Sequence, residues 1–143
     1  MSRFDDLAIG SQWESSRRTI SAEDVAAFAS LSGDDSPLHL DDEAAAAGPY
    51  GRRIAHGLLV LSCSVGLAVD AGVLGSDLLA FAGLDRLRFV APVFIGDTIA
   101  VRKRVVDRQP IDDTRGVVAF DSRIVNQDEV VVVAYVDRYL LRR

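Results

Sequence analysis

Residues 57–75 read "GLLVLSCSVGLAVDAGVLG", and the fold turns on how they are read. Apolar side chains fall on nearly every side of a helical projection from 57 to about 71, so the segment is predicted to be a helix wrapped by other structure. A membrane span needs ~20 predominantly apolar residues. Here Ser62, Ser64, Asp70 and several glycines interrupt the run, which fits a helix inside a soluble domain better than a bilayer.

Downstream the period changes. The stretches "RLRFV" (86–90), "TIAVRKRVV" (98–106), "GVVAFDSRIVNQ" (116–127) and "EVVVVAYVDRYLL" (129–141) are rich in Val, Ile, Phe and Tyr and alternate in part. Gly96-Asp97 and Asn126-Gln127-Asp128 supply turns between them. Arg86 and Arg88 alternate with Leu87 and Phe89, so the arginines are assigned to the outer face. Strands in meander order make a mostly antiparallel sheet. The predicted class is α+β, a long central helix enclosed by a curved sheet.

Upstream, "SAEDVAAFASLSG" (21–33) carries a capping-box start at Ser21 and Asp24 and a glycine stop at Gly33, predicting a helix over 22–32. "LDDEAAAA" (40–47) predicts a second short helix starting at Asp41 or Asp42 and closed by "GPYG". No repeat or linker divides the 143 residues, so one domain over 1–143 is expected. Sixteen Lys and Arg against 21 Asp and Glu give a net charge of −5, with no basic cluster to neutralise phosphates. Nucleic acid and membrane are therefore not expected partners. The N-terminal "MSRFDDLAIG" lacks the pattern of an export signal, and the single cysteine, Cys63, is read as a small buried hydrophobe; both fit a cytoplasmic setting.

The chemistry gathers at "SGDDSPLH" (32–39). Pro37 pushes Ser36 into an extended conformation, and the turn formers around it allow the chain to fold back and bring Asp34 to His39. A carboxylate and an imidazole sharing a water can pass protons near neutral pH. On spacing alone another reading stands beside it: Asp34 as a turn or helix cap, and His39 as a hydrogen-bonded histidine at a helix start. Asp35 is read as a bystander. His56 and Gly57 enter the long helix, whose first N–H groups lack internal partners. Glycine there lets an oxygen approach the backbone, an oxyanion site for a thioester carbonyl, while close packing of the helix start is the competing explanation for the same glycine. His56, beside the positive end of a helix dipole, is read as a packing or hydrogen-bonding residue. Arg52 and Arg53 are read as a solvated surface pair that could meet a carrier phosphate.

Together "LSGDDSPLHLDDEAAAA", "IAHGLLVLS" and "FVAPVFIGDTI" resemble the MaoC-like, or type 2, enoyl-thioester hydratases, the (R)-specific hydratase and dehydratase branch of the hot-dog superfamily. The resemblance runs from about Leu7 to the C-terminus. It implies a hot-dog fold with a helical overhang before the central helix, Asp34 and His39 as the catalytic pair, and the Gly57 N–H as oxyanion donor. Gly33, Asp34, Asp35, Ser36, Pro37, Leu38 and His39 follow the family's pattern except at Ser36, where the family has Asn. Ser36 and His56 join Gly57 as expected substrate-side residues. The implied reaction is reversible syn addition of water to a 2-enoyl thioester, carried on coenzyme A or an acyl carrier protein, with no metal or other cofactor. The implied assembly is a homodimer joined edge to edge, for which the apolar "VVVVAYV" run offers a strand, and the acyl tunnel is expected to be shaped by Leu58, Leu61, Val65 and Phe81. An acyl-thioester hydrolase and a non-catalytic subunit of a dehydratase heterodimer are the competing functions.

Overall fold

The computed structural model describes residues 3–143. In chain order it comprises α1 (Arg3–Asp6), β1 (Gln12–Glu14), β2 (Arg18–Thr19), α2 (Ala22–Ser32), α3 (Pro37–Leu40), α4 (Asp42–Ala46), α5 (Gly57–Asp70), β3 (Leu78–Phe89), β4 (Thr98–Pro110), β5 (Arg115–Val125) and β6 (Val131–Arg142). The sheet order is β1-β4-β5-β6-β3, with β2 also paired to β4, and each pairing is antiparallel. Helix α5 lies against the face of the sheet that carries Ile99, Val101, Ile124, Val133 and Tyr135, burying Leu59, Val60, Leu61, Leu67 and Ala68 there. This is the predicted helix within a curved sheet. Among the described residues no helix is long and apolar enough to cross a membrane.

Local chemistry explains most boundaries. Ser21 and Asp24 exchange both capping-box hydrogen bonds at the start of α2, and Gly33 ends it in the left-handed region at φ 81°. The predicted helix over 40–47 resolves into two. Pro37 opens α3 at a position where a missing N–H costs nothing, the chain breaks at Asp41, and the Asp41 carboxylate accepts from the Glu43 and Ala44 amides to cap α4. The first long strand begins at Leu78, well before the predicted 86. Register shifts, including one between Asp85 and Arg88 with Arg86 at φ 53°, interrupt the alternation that would have revealed it. Arg86 and Arg88 are exposed, as read from the sequence.

Two features differ in kind from the expectation. The "VVVVAYV" run is β6, hydrogen-bonded on both sides by β5 and β3, so it offers no free edge; the twelve-residue β3 does. In addition, the helix-facing side of the sheet holds charge. Lys103 Nζ donates to Ser122 Oγ at 2.8 Å and to the Asp137 carboxylate, while Ser122 Oγ donates to Asp137 Oδ1 at 2.7 Å, all three residues being buried. Burial pushes the Lys103 ammonium below its ordinary pKa, against the pull of Asp137. The cluster lies between the α5 core and a second apolar group of Phe4, Leu7, Val105, Phe120, Tyr139 and Leu141. Cys63 is half-buried against α5's core, and its thiol is raised by that burial.

Candidate active site

The fold-back anticipated at "SGDDSPLH" is present. Gly33 in the left-handed region turns the chain out of α2, Ser36 is extended at φ −52°, ψ 136°, and α3 then carries His39 back beneath the loop. Asp34 Oδ2 and His39 Nε2 stand 3.8 Å apart. That is too long for a direct hydrogen bond and leaves room for one water to touch both. Asp34 is half exposed, whereas His39 is buried at 8%.

Each partner is fixed from behind. His39 Nδ1 lies 2.7 Å from the carbonyl oxygen of Ile54; a carbonyl only accepts, so Nδ1 bears a proton, and in the neutral ring Nε2 is left with its lone pair toward Asp34. Ser36 donates from Oγ to Asp34 Oδ1 at 2.6 Å and from its amide at 3.3 Å, which orients the carboxylate and leaves Oδ2 facing the imidazole. These two bonds, the hydroxyl first, hold the Asp34 carboxyl below the ordinary carboxylate range. In the structure, then, Ser36 grips Asp34 from the side opposite His39.

His56 supports the pair. Its Nε2 donates to the Asp34 carbonyl at 2.9 Å, and its ring stacks on His39 with centroids 3.8 Å apart and meets the Phe28 ring at a tilt, 4.9 Å between centroids. This agrees with the packing and hydrogen-bonding assignment; its Nδ1 is buried without a partner among the described residues. Arg53, read as half of a solvated surface pair, is instead largely buried. Its Nε donates to the His39 carbonyl at 2.7 Å and its Nη1 reaches Asp42 Oδ1 at 3.7 Å, tying α3 to the segment before α5. Arg52 lies over the Phe94 ring, 3.8 Å from its centroid. The role of Arg53 left no sequence signal, since its acceptor is a backbone carbonyl fourteen residues away.

Gly57 is the first residue of α5, and the first amide of that helix with a partner is Val60, bonded to the His56 carbonyl at 3.2 Å. The Gly57 N–H has none among the described residues. A Cβ at Gly57 would stand 2.6 Å from Phe89 Cε1, so only glycine lets the helix start lie against that ring. The helix start is thus packed closely against Phe89 and, among the described residues, leaves the Gly57 amide free. An apolar cavity of about 370 Å³ opens beside this amide, lined by Tyr50, Ile54, Gly57, Leu58, Phe89 and Val133 among others. Ile54 and Gly57 connect it to the dyad through the Ile54–His39 hydrogen bond and the neighbouring His56. Of the four residues expected to shape an acyl tunnel, Leu58 lines the cavity; Phe81 packs on Tyr139, 5.1 Å between centroids, and neither Leu61 nor Val65 reaches the cavity wall.

Asp34, His39 and His56 each present a ligand-capable atom within 4.8 Å of the others, the one cluster of this kind among the described residues. The arrangement suits proton handling: with two ring nitrogens engaged by carbonyl oxygens and one carboxylate oxygen by Ser36, His39 Nε2 and Asp34 Oδ2 are left facing each other.

Residues 6–127 match the model of the MaoC like domain. The chain is 42% identical over 99 residues to Protein MaoC of Klebsiella aerogenes, covering 69% of this chain and 29% of that protein's length. It is 33% identical over 130 residues to the (R)-specific enoyl-CoA hydratase of Aeromonas caviae, 89% of this chain and 90% of that one. Among solved structures, that of the monoamine oxidase regulatory protein from Archaeoglobus superposes with a TM-score of 0.90 at 38% identity, over 100% of this chain and 95% of the other. The fold is the hot-dog fold, with α5 as the central helix.

Proposed function

The chain belongs to the MaoC-like domain family, and from that premise we propose that it is an (R)-specific 2-enoyl-thioester hydratase, equally a 3-hydroxyacyl-thioester dehydratase in reverse. The observation that carries the proposal is the 3.8 Å gap between Asp34 Oδ2 and His39 Nε2, set next to an unpartnered helix N–H at the wall of an apolar cavity. The names of the Aeromonas hydratase and of the 3-hydroxybutyryl-CoA dehydratase of Methylorubrum extorquens, 39% identical over 110 residues, support it.

In the proposed reaction one water accepts no proton and gives one up. It is held by Asp34 Oδ2 and by the lone pair of His39 Nε2, and its oxygen attacks the β-carbon of the 2-enoyl thioester. The C–O bond forms as the C=C electrons move toward the carbonyl, and the Gly57 N–H stabilises the enolate-like oxygen. The dyad takes the water's proton and returns one to the α-carbon on the same face, giving a (3R)-hydroxyacyl thioester by syn addition. Ser36 orients Asp34, and His56 and Arg53 hold the loop. None of these steps uses a metal or prosthetic group; coenzyme A or an acyl carrier protein serves only as the thioester carrier, in a cytoplasmic setting.

A homodimer is part of the same proposal. Strand β3 has an edge unpaired among the described residues and exposes Leu79 and Phe81, and pairing two such edges would satisfy the free backbone groups and cover that surface. Sedimentation of the purified protein tests it, a monomer at micromolar concentration counting against it.

The activity test is crotonyl-CoA with chiral analysis of the product. Loss of enoyl absorbance without free thiol, yielding the (3R) alcohol, is expected. Thiol release would make the protein a hydrolase, and a (3S) product would overturn the stereochemical assignment. D34N and H39A are each expected to lower kcat by about 10²–10⁴; full turnover in both would remove the dyad from the mechanism.

A further inference from the structure

We propose that Phe89 selects the length of the acyl chain, acting as a wall beside the thioester carbonyl that admits short chains and excludes long ones. This rests on the reading of Gly57 as the group that binds the thioester oxygen, and it gives Phe89, the first residue of the "FVAPVFIGDTI" stretch, a role in specificity that its place in that stretch did not assign.

The placement follows from register. Val101 on β4 faces Ile124 on β5, Ile124 faces Val133 on β6, and Val133 faces Phe89 on β3, so the four form one row across the sheet. Val101, Ile124 and Val133 are buried in the core beneath α5. Phe89 ends the row at the last position of β3, where its side chain meets the start of the helix instead of the helix barrel. Its Cε1 and Cδ1 lie 2.6 and 2.8 Å from the point a Cβ on Gly57 would occupy.

A carbonyl oxygen bound by the Gly57 N–H sits about 2.9 Å from that nitrogen. An acyl chain that enters the cavity from this oxygen runs past the Phe89 ring, which lines the cavity together with Gly57. The cavity they enter is about 370 Å³. That lies at the small end of ligand pockets, which run from ~300 to ~1,000 Å³. Phe89 is 51% exposed, so the ring is held on one side only and is not part of the packed core. A ring in that position limits the cavity without being needed to build the fold, which is the combination a selectivity residue requires. Tyr50, also half exposed, lines the same cavity and leaves Phe89 as the aromatic wall on the strand side.

The test compares wild type, F89L and F89A on two readouts. The first is kcat/KM for 2-enoyl-CoA substrates of four and eight carbons. The second is calorimetric affinity for the unreactive saturated butyryl-CoA and octanoyl-CoA, which reports chain selection without turnover. Wild type is expected to favour the shorter chain in both. F89A is expected to raise the eight-to-four-carbon ratio at least tenfold in both, with F89L between, and with thermal midpoints within a few degrees of wild type. A ratio that stays within twofold in F89A overturns the assignment of Phe89. Should wild type bind the acyl-CoA pair with the expected preference and F89A invert it, but no variant hydrate an enoyl thioester, the selectivity role stands and the hydratase reading falls.

Discussion

Replacing Gly57 with alanine keeps the backbone N–H and adds a single methyl. That methyl would lie 2.6 Å from Phe89 Cε1, far inside van der Waals contact, and Gly57 is not among the glycines with positive φ, so the penalty is the clash and not backbone strain. Overpacking of this sort costs ~1–3 kcal/mol, and Gly→Ala in a helix returns up to ~1 kcal/mol, so G57A should lose about 0–3 kcal/mol. Removing the ring with F89A deletes the clash. In a double-mutant cycle by urea denaturation, the coupling between the two sites should therefore be ~1–3 kcal/mol in the direction of rescue. Turnover on crotonyl-CoA should follow: G57A pushes the ring into the cavity and loses rate, while G57A/F89A recovers it because the amide is still there. The N–H itself is then tested in the same background. Residue 57 opens a helix and His56 before it is extended at φ −57°, ψ 133°, so proline fits both positions. G57P/F89A removes the donor and should lower kcat by about 10²–10³ relative to G57A/F89A. Stability effects that add within ~0.5 kcal/mol would refute the packing account. Equal turnover of G57P/F89A and G57A/F89A would refute the oxyanion account.

Three further outcomes follow from the geometry. Because the Ser36 hydroxyl is the chief reason the Asp34 carboxyl is held low, S36A should raise it, and the acid-side fall of the kcat/KM profile should move to higher pH; a limb that does not move would separate Ser36 from Asp34. K103M leaves Asp137 buried without its cation and should cost ~3–5 kcal/mol in urea denaturation, whereas K103M/D137L, which removes both charges, should recover most of it. A single variant as stable as wild type would mean the pair contributes nothing. Dialysis against EDTA should leave turnover within twofold; a loss restored by zinc would instead make Asp34, His39 and His56 metal ligands.

Helix α5 was legible because its signal is local: an apolar run bounded by glycine, too interrupted for a membrane and too apolar for a surface. The capping box of α2 and the glycine stop at Gly33 were legible for the same reason, each being a contact between residues three or four apart. Strands β1 and β2, three and two residues long, are too short to show a period, and the bulges of β3 hid its first eight residues. At the site, residue type and spacing brought forward Asp34, His39 and Gly57 but left open whether they were caps and packing residues or chemistry.

What only the tertiary structure decided is orientation. The Ile54 carbonyl fixes which nitrogen of His39 faces Asp34, Ser36 fixes which oxygen of Asp34 faces His39, and the edge of the sheet delivers Phe89 to Gly57 from 32 residues away in the chain. Sequence alone determined which chemical groups this protein has and where its backbone must turn, because those depend on neighbours along the chain. Which lone pair points at which atom depends on carbonyls and rings brought in by folding, and no local pattern encodes them.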